Sequence, residues 1–168
     1  MADHVARIEA QWGRERPDVP LDGLPIIARA RRITLLTRGP IESLFEEHGL
    51  NAGEFDVLAT LRRSGKPYTV RPTELFTQLM INSSSLTDRL NRLEKAGLID
   101  RPVNREDGRS RLVQLSRHGV QVIDTVFAKD MALENEIVGC LTMDERKALA
   151  GLLRKLAVGV EAKYAGTD

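Results

Sequence analysis

The stretch from residue 83 to residue 117, SSSLTDRLNRLEKAGLIDRPVNREDGRSRLVQLSR, limits the possible folds more than any other part of the chain. A segment with apolar residues at helical spacing stops at Gly97. Glycine commonly closes helices because a left-handed backbone costs it little. An apolar strand start follows at residues 98–101, then a charged loop, PVNREDGRSR, then a second alternating strand at 112–115. Helix, strand, turn and strand in so short a span predict one helix backed by a β-hairpin.

The rest of the chain reads as helix. Residues 6–14 predict a short helix, broken by Pro17 and Pro20. Asp22 is placed to cap a long helix over 23–48, with a kink or break expected at Gly39-Pro40 and an end at Gly49. Asn51 with Glu54 three residues on predicts a capping box for the next helix. Ser64-Gly65-Lys66-Pro67 is a turn, 68–70 a short strand, and Pro72 opens a third small helix. The helix of the opening stretch spans 83–96. Ser116 caps a helix running to about Gly139, and Thr142 with Glu145 forms a second capping box for the last one. The long terminal helices carry more apolar residues than one small module can cover. A second copy would bury them in a symmetric dimer; an intramolecular bundle is the alternative.

Net charge is only +1, but it is unevenly spread: residues 62–117 hold 12 Lys and Arg against 6 Asp and Glu, so the remainder is acidic. A basic lobe on an acidic body suits a protein that turns one face to phosphates. On the helix, Leu86, Leu90 and Leu93 share one side and must face the core. Ser84, Thr87, Asp88, Asn91 and Lys95 fall on the other, with Arg92 beside them. With Ser83 and Ser85 in the first turn, this set offers short donors and acceptors for base edges and phosphates. At the hairpin, Arg105, Arg109 and Arg111 surround Asp107-Gly108. Such a tip can put arginine into a narrow minor groove. The partner expected from these features is double-stranded DNA.

At this point the chain resembles the MarR family of winged helix-turn-helix regulators. The residues that carry the resemblance are EFDVLATLRRSG, PTELFTQLMINSSSLTDRLNRLEKAGLIDR and REDGRSRLVQLSRHG, with the wing pattern at Asp107, Arg109, Leu112, Leu115, Ser116 and Gly119. The implied fold is mainly α with a small β-hairpin wing, dimeric through the N- and C-terminal helices. Its expected parts are an N-terminal extension helix with a Pro-rich link over 1–21, a helical dimerisation region over 22–49 and 117–168, and a winged helix-turn-helix DNA-binding domain over 50–116. The implied function is a homodimeric regulator, usually a repressor, that occupies a palindrome and releases it when a small ligand binds.

A narrower resemblance is to the urate-responsive branch, through Trp12, Asp56, Arg89 and Arg101. It implies a planar anion, urate or a related metabolite, as the ligand. The residue chemistry is compatible. Arg89 lies at the edge of the leucine face, where a cation needs an anion or acceptors. Arg101 leaves the strand close by, and Trp12 offers a flat surface with one N–H donor. The alternative is that Asp56 and Arg89 form a structural ion pair while Trp12 packs at a dimer interface.

Other classes fare worse. His4, His48 and His118 are scattered, and no glycine-rich phosphate loop occurs, so neither an enzyme nor a metal or other cofactor is expected. The single cysteine, Cys140, excludes an internal disulfide. It leaves open a redox-responsive regulator, although acids surround it rather than the bases a reactive thiol needs. A winged-helix protein–protein module is a further alternative. Without an apolar run of membrane-spanning length or a signal-like N-terminus, a cytoplasmic protein is expected.

Overall fold

The structure, a computed structural model, describes residues 2–79, 83–104 and 111–164. Asp3 accepts a hydrogen bond from the Ala6 N–H at 2.7 Å and opens α1, His4–Glu15, earlier than the sequence spacing suggests. The long helix α2, Leu24–Glu46, has Gly23 at its cap position and no side-chain cap, so Asp22 does not play that part. It also runs on through Pro40 rather than breaking. Proline removes one amide donor; Gly39 and Pro40 are exposed, where water can satisfy the freed carbonyl.

Gly49, at φ 72°, turns the chain into α3, Ala52–Arg63. The capping box forms in full: Asn51 Oδ1 accepts from the Glu54 N–H and Glu54 Oε2 accepts from the Asn51 N–H, both at 2.9 Å. β1, Thr69–Val70, leads to α4, Pro72–Leu79, and then to α5, Ser83–Lys95, which Gly97 closes at φ 70°. β2, Ile99–Asp100, and β3, Val113–Leu115, pair antiparallel as the expected hairpin. β1 joins the free edge of β3, giving a three-stranded sheet in the order β1-β3-β2. That addition holds the turn after α3 to the wing: the Tyr68 carbonyl accepts from the Leu115 N–H at 3.1 Å.

α6, Arg117–Ile137, begins where Ser116 Oγ accepts the Gly119 N–H at 2.9 Å and donates to the Gly97 carbonyl at 2.7 Å. Gly119 is required here, since a Cβ would collide with the Leu98 carbonyl. A 3-10 turn, Val138–Cys140, precedes α7, Met143–Tyr164, whose Thr142–Glu145 capping box also forms.

The described residues fall into two units, 1–127 and 128–168. In the first, one core joins α2, α3, α4, α5, the sheet and α6. It includes Phe45, Leu58, Leu61, Leu75, Leu90, Leu93, Ile99, Val113 and Ile123. Phe45 and Phe55 stack at its edge with ring centres 4.2 Å apart. Truncating one such leucine to alanine costs about 2–5 kcal/mol. Leu86, Leu90 and Leu93 all lie in this core, so it dictates which side of α5 faces outward.

Candidate functional site

The outward side of α5 is Thr87, Asp88, Asn91 and Lys95, all exposed, with Ser85 half-buried at its start. The sheet edge and the stem of the wing stand behind it, pinned where the Leu112 N–H donates to the Pro102 carbonyl at 2.9 Å. Arg111 is exposed at that stem and donates to the Arg101 carbonyl at 3.3 Å. Arg105 and Arg109 lie outside the described residues, as do the side chains of Ser83 and Ser84.

Arg92 is not simply beside the outward face. Its Nε donates to Glu54 Oε1 at 2.6 Å, joining α5 to the first turn of α3. Glu54 is thus shared between its own cap and this arginine. Sequence reading finds the cap, because its partner is three residues away. It misses the second bond, because that partner lies 38 positions along the chain.

Arg89 sits one turn earlier on the same flank. Its Nη1 donates to the Gly53 carbonyl at 3.3 Å. The guanidinium rests on the α carbon of Gly53: a Cβ there would fall 2.5 Å from Nε and 2.8 Å from Nη1. Gly53 is the second residue that sequence reading missed, since nothing local marks a glycine as the support for a distant side chain. Asp56 is exposed, yet crowding by the surrounding protein pushes its carboxyl above the usual range, while the charges of Arg89 and Arg63 pull the other way.

Of the four expected ligand residues, Asp56 and Arg89 lie near enough for their charges to interact, with no ion pair between them among the described residues. Arg101 lies on the opposite flank of α5, where Nη1 reaches Asn91 Oδ1 at 3.3 Å and Glu94 Oε2 at 3.9 Å. Its Nε is buried without a hydrogen-bond partner. The spacing explains the separation: Asn91 and Glu94 stand roughly half a turn around the helix from Arg89. Trp12 is on α1, half-exposed, and no hydrogen bond or ring contact among the described residues joins it to the other three. Cys140 is exposed in its 3-10 turn.

Two clefts flank the start and the far end of α3. One, of about 520 Å³, opens between the start of α3 and the later half of α5, at Glu46, Leu50, Glu54, Arg92, Ala96 and Leu98. The other, of about 400 Å³, lies against α6 at Ala59, Arg62, Arg63, Ile123, Asp124 and Phe127. Arg62 crosses its rim, bound to Asp124 at 2.7 Å and stacked 4.8 Å from the centre of the Tyr68 ring. Among the described residues no group of His, Cys, Asp and Glu is placed to hold a metal ion, and no helix is long and apolar enough to cross a membrane.

A helix presented over a three-stranded wing defines the winged-helix class, and comparison with known proteins agrees. Residues 50–110 match the MarR family. The chain is 38% identical over 152 residues to the HTH-type transcriptional regulator PecS of Dickeya dadantii, covering 90% of this chain and 92% of that protein. It superposes on a mutant MarR from E. coli complexed with operator DNA with TM-score 0.64 at 28% identity, covering 80% of this chain and 97% of that one. AbsC from Streptomyces coelicolor, at TM-score 0.73 and 20% identity, shares the fold over 86% of this chain and 98% of its own. The chain belongs to the MarR family: it is a winged-helix transcriptional regulator and not an enzyme.

Proposed function

We propose that this protein is a cytoplasmic repressor that binds a palindromic operator in double-stranded DNA as a homodimer. In this reading it releases the operator when a small planar anion such as urate binds. The observation that carries the DNA reading is the exposed row Thr87, Asp88, Asn91 and Lys95, raised on a leucine-anchored helix with the wing behind it. The major groove admits an α-helix, and the basic balance of residues 62–117 supplies phosphate attraction.

Support for the ligand reading is narrower. Arg89 is half-buried on the helix that reads DNA; its acceptor, the Gly53 carbonyl, and the Asp56 carboxylate whose charge it feels both belong to another helix. An anion that takes Arg89 from them loosens α5 from α3. The ligand can shift the equilibrium only by its difference in affinity for the two states. Arg101 and Trp12 would join such a site only from other directions.

The test begins with an operator selected from random duplex DNA. Urate and related purines are then titrated into its complex with wild type, Arg89→Ala and Gly53→Ala, after affinity without ligand has been measured for each. Gly53→Ala keeps the charge but displaces the guanidinium, and alanine is the better helix former by about 1 kcal/mol, so the fold should survive. Release from wild type, with a blunted response in both variants, is the expected result. An equal response in all three removes Arg89 from the ligand site.

A further inference from the structure

We propose that Glu54 is a positioning residue for DNA reading: through Arg92 it sets the roll of α5 about its own axis. The inference rests on the reading of α5 as the DNA-contacting helix. Glu54 is only 6% exposed, and both of its oxygens are committed. Oε2 accepts from the Asn51 N–H at 2.9 Å and Oε1 from Arg92 Nε at 2.6 Å. The carboxylate is therefore fixed to the backbone of α3 before it meets α5. Charge-assisted bonds of this length are among the stronger and more directional ones.

The surroundings give that bond its mechanical importance. A cleft of about 520 Å³ opens beside the pair, lined by Glu54 of α3 and by Arg92 and Ala96 of α5. The Glu54–Arg92 bond bridges the two helices along that cleft. Around α5, Arg89 and Arg92 project to the α3 flank, and Asn91 and Glu94 meet Arg101 on the other. The leucine stripe sets how deep the helix sits, and the polar ties on its two flanks set how far it is turned. A roll of about 15° moves a group about 5.5 Å from the helix axis by about 1.4 Å. That displacement takes a side chain out of hydrogen-bond range of a base edge but leaves it near the phosphates.

A direct phosphate contact by Arg92 is the competing role, and Glu54→Gln separates the two. Glutamine keeps an oxygen for the Asn51 N–H, so the capping box survives. Its amide turned toward Arg92 cannot accept, so only the tie to α5 is lost, and Arg92 keeps its charge. Three measurements on the full-length protein decide: operator affinity against salt, affinity for random duplex, and amide hydrogen exchange along α5 without DNA. Glu54→Gln should weaken operator binding about tenfold, an effect of about 1.4 kcal/mol, and leave random-duplex affinity and the salt slope unchanged. Arg92→Gln should match it, with no further loss in the double variant, and both should speed exchange along α5.

Operator affinity in Glu54→Gln equal to wild type would overturn the proposal. So would a salt slope reduced by about one in Arg92→Gln alone, the mark of a phosphate contact. If wild type binds no duplex, the DNA reading itself fails. Exchange along α5 then decides the positioning role by itself: equal acceleration in both variants supports it and unchanged exchange refutes it.

Discussion

Thr60 lies fully buried on α3, and its hydroxyl has no hydrogen-bond partner. A buried hydroxyl left unpaired costs about 1–3 kcal/mol. Valine has nearly the same shape and no polar atom to satisfy. Thr60→Val should raise stability by about 1 kcal/mol, a rise of roughly 2–4 °C in melting temperature for a chain of this size. A lower melting temperature in thermal unfolding would mean that the hydroxyl has a partner in solution. At this scale, legibility in the sequence depended on distance along the chain. Asn51 with Glu54, Ser116 with Gly119 and Thr142 with Glu145 are all pairs three apart, and all three caps formed. The bonds of Arg89 and Arg92 to α3 span 36 and 38 positions and leave no local mark.

Among the elements, α1 offers the clearest handle. Asp3 both caps α1 and clasps Arg29 of α2, accepting from its Nε at 2.8 Å and its Nη2 at 3.0 Å. Arg29, and then the Ala6 N–H, hold the Asp3 carboxyl below its ordinary range. A carboxyl lowered in the folded state stabilises above its unfolded pKa, and that contribution is lost as pH falls through the lower folded value. Docking of α1 should therefore loosen only in acid stronger than ordinary aspartate titration. Trp12 is the one tryptophan and sits on α1, so its emission reports the event. The acid shift should be absent in Asp3→Asn; an identical titration in that variant would show that another group drives it. Helix order and the hairpin were largely legible because each follows from local periodicity, whereas the pairing of β1 with β3 was not. The exceptions were the starts of α1, which Asp3 caps, and of α2, where Gly23 displaced the expected Asp22; of the kink or break expected at Gly39-Pro40, the continuous helix excludes the break. There the rest of a long helix outweighs one lost bond.

For the whole molecule, the apolar residues left uncovered matter most. Ile33, Leu35 and Leu36 of α2 are 58–71% exposed, and α7 leaves Leu149, Leu152, Leu153, Leu156 and Val160 open at helical spacing. Faces of that kind are the basis for proposing a homodimer, whose two-fold axis would set two reading helices about 34 Å apart on DNA. Sedimentation should find wild type dimeric and Leu153→Glu shifted to monomer with its operator affinity lost. A monomeric wild type would sink the proposal. The sequence by itself determined the order of the helices, three of their caps, the hairpin, the core side of α5 and the family, because periodicity, glycine and capping residues act over a few positions. Only the tertiary structure decided which charges meet. It set Arg89 on Gly53 near Asp56, gave Arg92 to Glu54, and turned Arg101 to the far flank of α5. Four residues that sit well together in a motif were divided among different faces, because side-chain meetings depend on how helices are rotated against one another. The shared core chooses which side of each helix faces inward, the polar ties between helices fix the remaining turn, and no single segment encodes either.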